Sequence, residues 1–207
     1  MNKLILLGIA PLLAVTLNLL LPLSSQAAEV GKPAPAFTLK DTKGTSHNLA
    51  DFKGKTVVLE WINHDCPFVV KHYSGGNIQS LQKEYTGKGV VWLSIASSAP
   101  GKQGHLSPEA WNKITAEKGA APTAVLLDED GKVGKLYNAK TTPQIAIINA
   151  EGLLVYAGAI DSIKSTNAAD VAKATNYVKA ALDEVLAGKP VSTASTEPYG
   201  CSVKYAN

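Results

Sequence analysis

Two cysteines, Cys66 and Cys201, are the only thiols in this 207-residue chain. Cys66 lies within Asn63-His64-Asp65-Cys66-Pro67-Phe68. A thiolate at that position can attack a disulfide or a hydroperoxide, chemistry that a neutral thiol performs poorly. Glu60 stands six residues earlier, in a run that otherwise lacks charge. A half-buried acid there, with its pKa raised by desolvation, can relay a proton to or from a departing sulfur. A protonated His64 would favour the thiolate, whereas Asp65 and Glu60 would oppose it, so residue types alone leave the direction of the net shift open. Asn63 can hydrogen-bond a substrate oxygen or cap the following helix. The competing reading of Cys66 is an inert buried thiol, since free cysteines are among the most buried residue types.

The elements around Cys66 give it a position. Thr56 to Ile62 is a β-branched, near-continuous apolar run, which predicts a strand buried on both faces. From Phe68 onward, Val69, Val70, Tyr73, Ile78, Leu81 and Tyr85 recur at spacings of three and four, predicting an amphipathic helix. Cys66 therefore stands at the turn from strand to helix, where unpaired N–H groups and the macrodipole favour a thiolate. Pro67 suits the first helical position because its missing N–H would have had no partner. Val90–Ala96 and Thr123–Leu127 predict further buried strands. Between them lie a polar loop, 97–105, and a helix that Ser107, Pro108 and Glu109 open and Gly119 closes. Ile145–Ile148 and Leu153–Tyr156 flank Asn149-Ala150-Glu151-Gly152 as a hairpin. Val171, Ala174, Val178, Ala181, Leu182 and Val185 predict a last helix ended by Gly188 and Pro190. Strands alternating with helices, then a hairpin, then a helix, imply an α/β sandwich with mixed strand directions.

The N-terminus reads as an export signal: Lys3, an apolar stretch from Leu4 to Leu21, then Ser25-Gln26-Ala27 with small residues at the cleavage positions. The expected organisation is a signal peptide over 1–27, cut after Ala27, a domain over 28–188, and a Ser/Thr/Pro-rich tail over 189–207 that should be extended or mobile and carries Cys201. The localisation implied is periplasmic or secreted. A membrane association would follow only if the segment stayed uncleaved, since about 18 apolar residues approach the minimum span. The net charge of +3 without a basic cluster argues against nucleic acid. All 20 basic side chains are lysine, which removes the planar bidentate donor that arginine would supply. Two cysteines in an oxidising compartment permit a Cys66–Cys201 disulfide. The roughly 13 residues from Gly188 to Cys201 can span ~40 Å, against a ~15 Å radius of gyration.

The order of these features resembles the thioredoxin fold, in its peroxiredoxin-like or redoxin branch, over roughly Val30 to Leu186. The resemblance rests on Gly31-Lys32-Pro33-Ala34-Pro35-Ala36-Phe37-Thr38-Leu39, Gly54-Lys55-Thr56-Val57-Val58-Leu59, Cys66-Pro67 and Thr142-Pro143 before a strand. The ending Gly200-Cys201-Ser202-Val203-Lys204-Tyr205 is similar to a subgroup of exported thioredoxin-like proteins. The resemblance implies an α/β three-layer sandwich with a mixed sheet, Cys66 as nucleophile, Glu60 as the acid beneath the thiol, and Pro143 as a cis-proline. That proline would leave the Thr142 backbone free beside the sulfur to pair with an incoming chain. The chain departs from the pattern in four places, one of them Thr141, where members of the nearest subgroup often carry a cysteine just before the Thr-Pro pair. Val69 replaces the second cysteine of Cys-x-x-Cys, Asn63 stands where peroxiredoxins carry threonine, and the site arginine is missing.

The function expected is an exported thiol-dependent oxidoreductase. Its catalytic residues would be Cys66, Cys201 and Glu60, and its substrate contacts Asn63, Pro67, Thr142 and Pro143. Partners would be a thiol or disulfide protein, or a small hydroperoxide, with an external thiol reductant; no cofactor or metal is expected. Two alternatives stand beside it. One is a non-catalytic binding module stapled by a permanent Cys66–Cys201 disulfide. The other is a copper-binding redox chaperone using both cysteines and a histidine, although Val70 occupies the position where Cys-x-x-x-Cys would need its second thiol.

Overall fold

A computed structural model describes residues 27–206; the signal segment read over 1–27 lies outside them apart from Ala27. The organising element is the strand β3, Val57–Trp61, one of fourteen strands and α-helices among the described residues. These are β1 Thr38–Asp41, β2 Ser46–Asn48, β3, α1 Pro67–Ser74, α2 Asn77–Gly87, β4 Val91–Ala96, α3 Pro108–Glu117, β5 Ala124–Leu127, α4 Lys132–Leu136, β6 Thr141–Thr142, β7 Gln144–Ile148, β8 Leu154–Gly158, α5 Tyr177–Leu186 and β9 Cys201–Ser202. The main sheet runs β2-β1-β5-β4-β3-β7-β8. Strands β3, β4 and β5 are mutually parallel, while β7, β8, β1 and β2 join antiparallel. This is the mixed α/β sheet flanked by helices that the sequence implied.

Alternation along β3 divides the core. Val57, Leu59 and Trp61 face one cluster with Leu93, Ile95, Leu126, Ile148 and Tyr137. Val58 faces the other, with Ile78, Leu81 and Tyr85 of α2 and Val178, Ala181 and Leu182 of α5. Both faces of the strand are covered; one is wholly apolar and the other carries Glu60 beside Val58.

Two expected helices are each interrupted. The helix foreseen from Phe68 through Tyr85 is divided into α1 and α2 at Gly75-Gly76, where Gly76 adopts φ +71°. A residue with a Cβ resists that conformation, so the spacing of three and four survives across a break. The last helix begins at Tyr177, not near Val171, because Asn176 caps it by accepting from the Lys179 N–H at 2.9 Å. The preceding 168–173 form a separate 3-10 turn capped by Asn167. The hairpin β7–β8 and the Ser107 cap of α3 form as the sequence predicts.

The tail is extended and packed rather than free. Thr196 accepts from Ala159 N–H at 2.9 Å and meets the Tyr156 hydroxyl at 2.8 Å. Cys201 and Ser202 pair antiparallel with Thr142 and Thr141. The Val203 N–H donates to Lys140, Ala99 donates to Lys204 O, and the Tyr205 ring closes over Gly131 and Gly134. The composition suggested mobility because most of its side chains are polar; the docking is carried by backbone groups and by Tyr199, Val203 and Tyr205. Among the described residues no helix is long and apolar enough to cross a membrane.

Candidate active site

The pairing of β3 with β7 brings the site together. Trp61 lies opposite Gln144, so the C-terminal end of β3 and the N-terminal end of β7 coincide in space. Cys66, a turn beyond β3, therefore meets Thr142-Pro143, just ahead of β7, and that peptide bond is cis. Cys66 is the N-cap residue of α1 with extended backbone, and Pro67 follows at the first helical position, exposed to solvent.

Cys66 is fully buried. Its Sγ lies 3.0 Å from the Thr142 carbonyl oxygen and 2.8 Å from Cys201 Sγ. Both cysteines are free thiols here. Strand β9 delivers Cys201 directly opposite Thr142. Burial works against the Cys66 thiolate, but the Cys201 thiol, the N–H groups of Val69 and Cys201, and Thr142 favour it more strongly, so the Cys66 pKa falls below its ordinary value. The Thr142 hydroxyl is buried with no other hydrogen-bond partner among the described residues. Cys201 moves the other way: burial and the neighbouring Cys66 sulfur push its pKa up to about 11. When the pair loses one proton, the negative charge therefore falls on Cys66 and the S–H stays on Cys201.

Glu60 is completely buried on the α2 side of β3. It accepts from Trp92 Nε1 at 2.8 Å, Tyr73 Oη at 3.0 Å, Ser94 Oγ at 3.1 Å and Gln82 Nε2 at 3.4 Å. Burial raises its pKa despite these four donors. None of its hydrogen bonds reaches either sulfur. Tyr73 and Ser94 also line an apolar cleft beside the site, with Ile62, His64, Val69 and Trp111.

Asn63 does not cap α1. Its Oδ1 accepts from Asp65 N–H at 3.0 Å and its Nδ2 donates to Gln103 O at 3.4 Å, tying the cysteine loop to the 97–105 loop. His64 bonds Asp65 at 2.9 Å and packs edge-on to Trp111. Among the described residues no group of three or more His, Cys, Asp or Glu side chains is arranged to hold a metal.

The sequence reading missed a second buried cluster next to the thiols. Lys71 Nζ contacts both Asp161 oxygens at 2.9 and 3.1 Å, the Ile163 carbonyl at 2.7 Å and the Tyr199 hydroxyl at 3.0 Å. Tyr199 also donates to Asp161 and approaches His72 Nε2 at 3.5 Å. The available signal was the adjacency Val69-Val70-Lys71-His72-Tyr73, in which a lysine and a histidine share a turn with core residues. Gly200, the residue after Tyr199, touches the cis peptide itself: a Cβ there would lie 2.0 Å from Thr142 O.

Residues 29–177 match the family model described as Redoxin. The chain is 29% identical over 126 residues to thiol-disulfide oxidoreductase ResA of Geobacillus kaustophilus, covering 61% of this chain and 67% of that protein. It superposes with TM-score 0.73 on an uncharacterized conserved protein from the same organism, at 32% identity over 86% of this chain and 93% of that one. A hypothetical protein of Sinorhizobium meliloti gives TM-score 0.73 at 27% identity, covering 87% and 97%. The chain belongs to the Redoxin family, has a thioredoxin-like fold and is similar in sequence to a thiol-disulfide oxidoreductase.

Proposed function

We propose that the protein is an exported thiol-dependent oxidoreductase that exchanges disulfides, with Cys66 as nucleophile and Cys201 as its resolving partner. The observation that carries this reading is the 2.8 Å approach of two free thiols on segments 135 residues apart. The Cys66 thiolate attacks a substrate disulfide, forming a mixed disulfide and expelling one substrate thiolate. Cys201, giving up its proton, then attacks Cys66 Sγ, closing the Cys66–Cys201 bond and releasing the second substrate thiolate. The substrate gains two electrons, and an external dithiol returns them to the protein. Glu60, buried beneath α1 with Tyr73 and Ser94 among its donors, is the acid that would hold a proton near the site, although no hydrogen bond links it to either sulfur. Pro67, exposed beside the sulfur, would meet the substrate chain; the Thr142-Pro143 backbone, expected from the sequence to be free for that chain, is paired with β9 and would guide it only once the tail is displaced.

Disulfide exchange suits this site better than hydroperoxide reduction. A cysteine-bearing strand already lies along Thr142, the Asn63 side chain is committed to Asp65 and Gln103, and the chain contains no arginine. Export rests on the N-terminal sequence. A Cys66→Ser variant should lose the turnover of a dithiol or disulfide substrate that the wild-type protein shows; equal rates would reject the reading. The extensive docking of the tail favours a second reading, the permanent staple. A Cys66–Cys201 potential below about −300 mV would support that one instead.

A further inference from the structure

The tail reaches Cys66 through three contacts that each make a different demand on its sequence. At Cys201 the demand is an extended backbone, paired with Thr142. At residue 200 it is the absence of a side chain: an added Cβ would lie 2.0 Å from Thr142 O and 2.7 Å from Thr142 C, both rigid backbone atoms. At residue 199 it is a hydroxyl. The Lys71 ammonium has three N–H donors, and its acceptors are Asp161, Ile163 O and the Tyr199 hydroxyl. Tyr199 in turn donates to Asp161, and its ring packs edge-on to Phe68, the second residue of α1. Lys71, His72 and Asp161 are all buried, so a segment without that hydroxyl leaves a buried ion pair short of a partner. Sites built around a hydroxyl discriminate strongly against the analogue that lacks it.

We infer that the groove beside Thr142-Pro143 is a recognition site for an extended Tyr-Gly-Cys segment, occupied by the chain's own tail, and that Tyr199 is the positioning residue that brings Cys201 to Cys66. The inference rests on the redox reading of the cysteine pair and adds what selects its partner. Tyr199 touches neither sulfur; it acts by fixing the register of β9. With the tyrosine seated and residue 200 bare, Cys201 falls opposite Thr142. A cysteine peptide lacking either feature docks poorly and competes weakly for Cys66.

The test measures the thiol-disulfide equilibrium of the full chain in glutathione buffers for wild type, Tyr199→Phe, Gly200→Ala and, as control, Ser202→Ala. The melting temperature of each reduced protein is followed in parallel. The expected result is at least a tenfold fall in the Cys66–Cys201 equilibrium constant for Tyr199→Phe and for Gly200→Ala, with Ser202→Ala within twofold. Loss of packing alone would move the melting temperature of the reduced protein and leave this equilibrium in place. An unchanged equilibrium in both variants overturns the recognition site while leaving the redox pair intact. Absence of any Cys66–Cys201 disulfide in oxidised wild-type protein overturns the redox reading and the inference together.

Discussion

At the scale of single residues, Cys66 owes its chemistry to neighbours from three places in the chain: the first turn of α1, the cis Thr142-Pro143 peptide and Cys201. Burial alone would make it inert. The donors gathered around the sulfur reverse that effect, and Cys201 supplies one of the largest contributions. Replacing Cys201 with alanine should therefore raise the Cys66 pKa, measured by ultraviolet absorbance of the thiolate; an unchanged or lower value would show that Cys201 does not stabilise it. The helix-start position of Cys66 and the buried acid at Glu60 were legible in the sequence. They follow from local periodicity and from a lone charge in an apolar run. The role of Asn63 was not, because its side chain serves a loop 40 residues away. Nor were Lys71 and Asp161, whose pairing spans 90 residues; a charged residue in a short helix ordinarily reads as solvent-facing.

At the scale of elements, α1 is short because Gly75-Gly76 stops it, and its inner face carries Lys71 and His72 as well as Val69. Asn77 Nδ2 lies 2.9 Å from His72 Nδ1, an arrangement in which the neutral ring accepts there and carries its proton on Nε2, toward Tyr199 and Asp161. Burial, with Lys71 alongside, drives the His72 pKa down to about 4 against the attraction of Asp161. Between pH 4 and 6.5 the unfolded chain then binds a proton that the folded chain does not, so stability rises with pH across that window. The His72 contribution is about 3 kcal/mol once complete. Buried Glu60 opposes this, since its raised pKa makes stability fall as pH climbs above the ordinary carboxylate range. A His72→Gln variant isolates the histidine. Chemical denaturation at pH 4 and 6.5 should show a smaller gain with pH than in wild type, and an equal gain would contradict the assignment. The tail is the element the sequence described least well. Its Ser/Thr/Pro composition carries no periodicity, and its anchors, Thr196, Tyr199, Val203 and Tyr205, bind partners set by tertiary structure.

At the scale of the whole molecule, the strand–helix alternation and the β7–β8 hairpin were sufficient to foresee the mixed sheet, because each element buries its own apolar pattern. What they could not show is that the tail crosses the end of that sheet and completes the site as a two-stranded pairing of β6 with β9. A bond between Cys66 and Cys201 closes a loop of 135 residues. The chain-entropy model values such a closure at about 5 kcal/mol, enough to couple the redox state of the pair to the stability of the fold. The central claim is that this bond forms and breaks in turnover. It is tested most directly by quenching the protein in acid at intervals while it turns over a dithiol or disulfide substrate, then mapping its peptides without reductant. The account predicts a Cys66–Cys201 peptide that rises and falls at the rate of turnover. Thiols that remain free throughout, or a disulfide that persists unchanged while substrate is consumed, would contradict it.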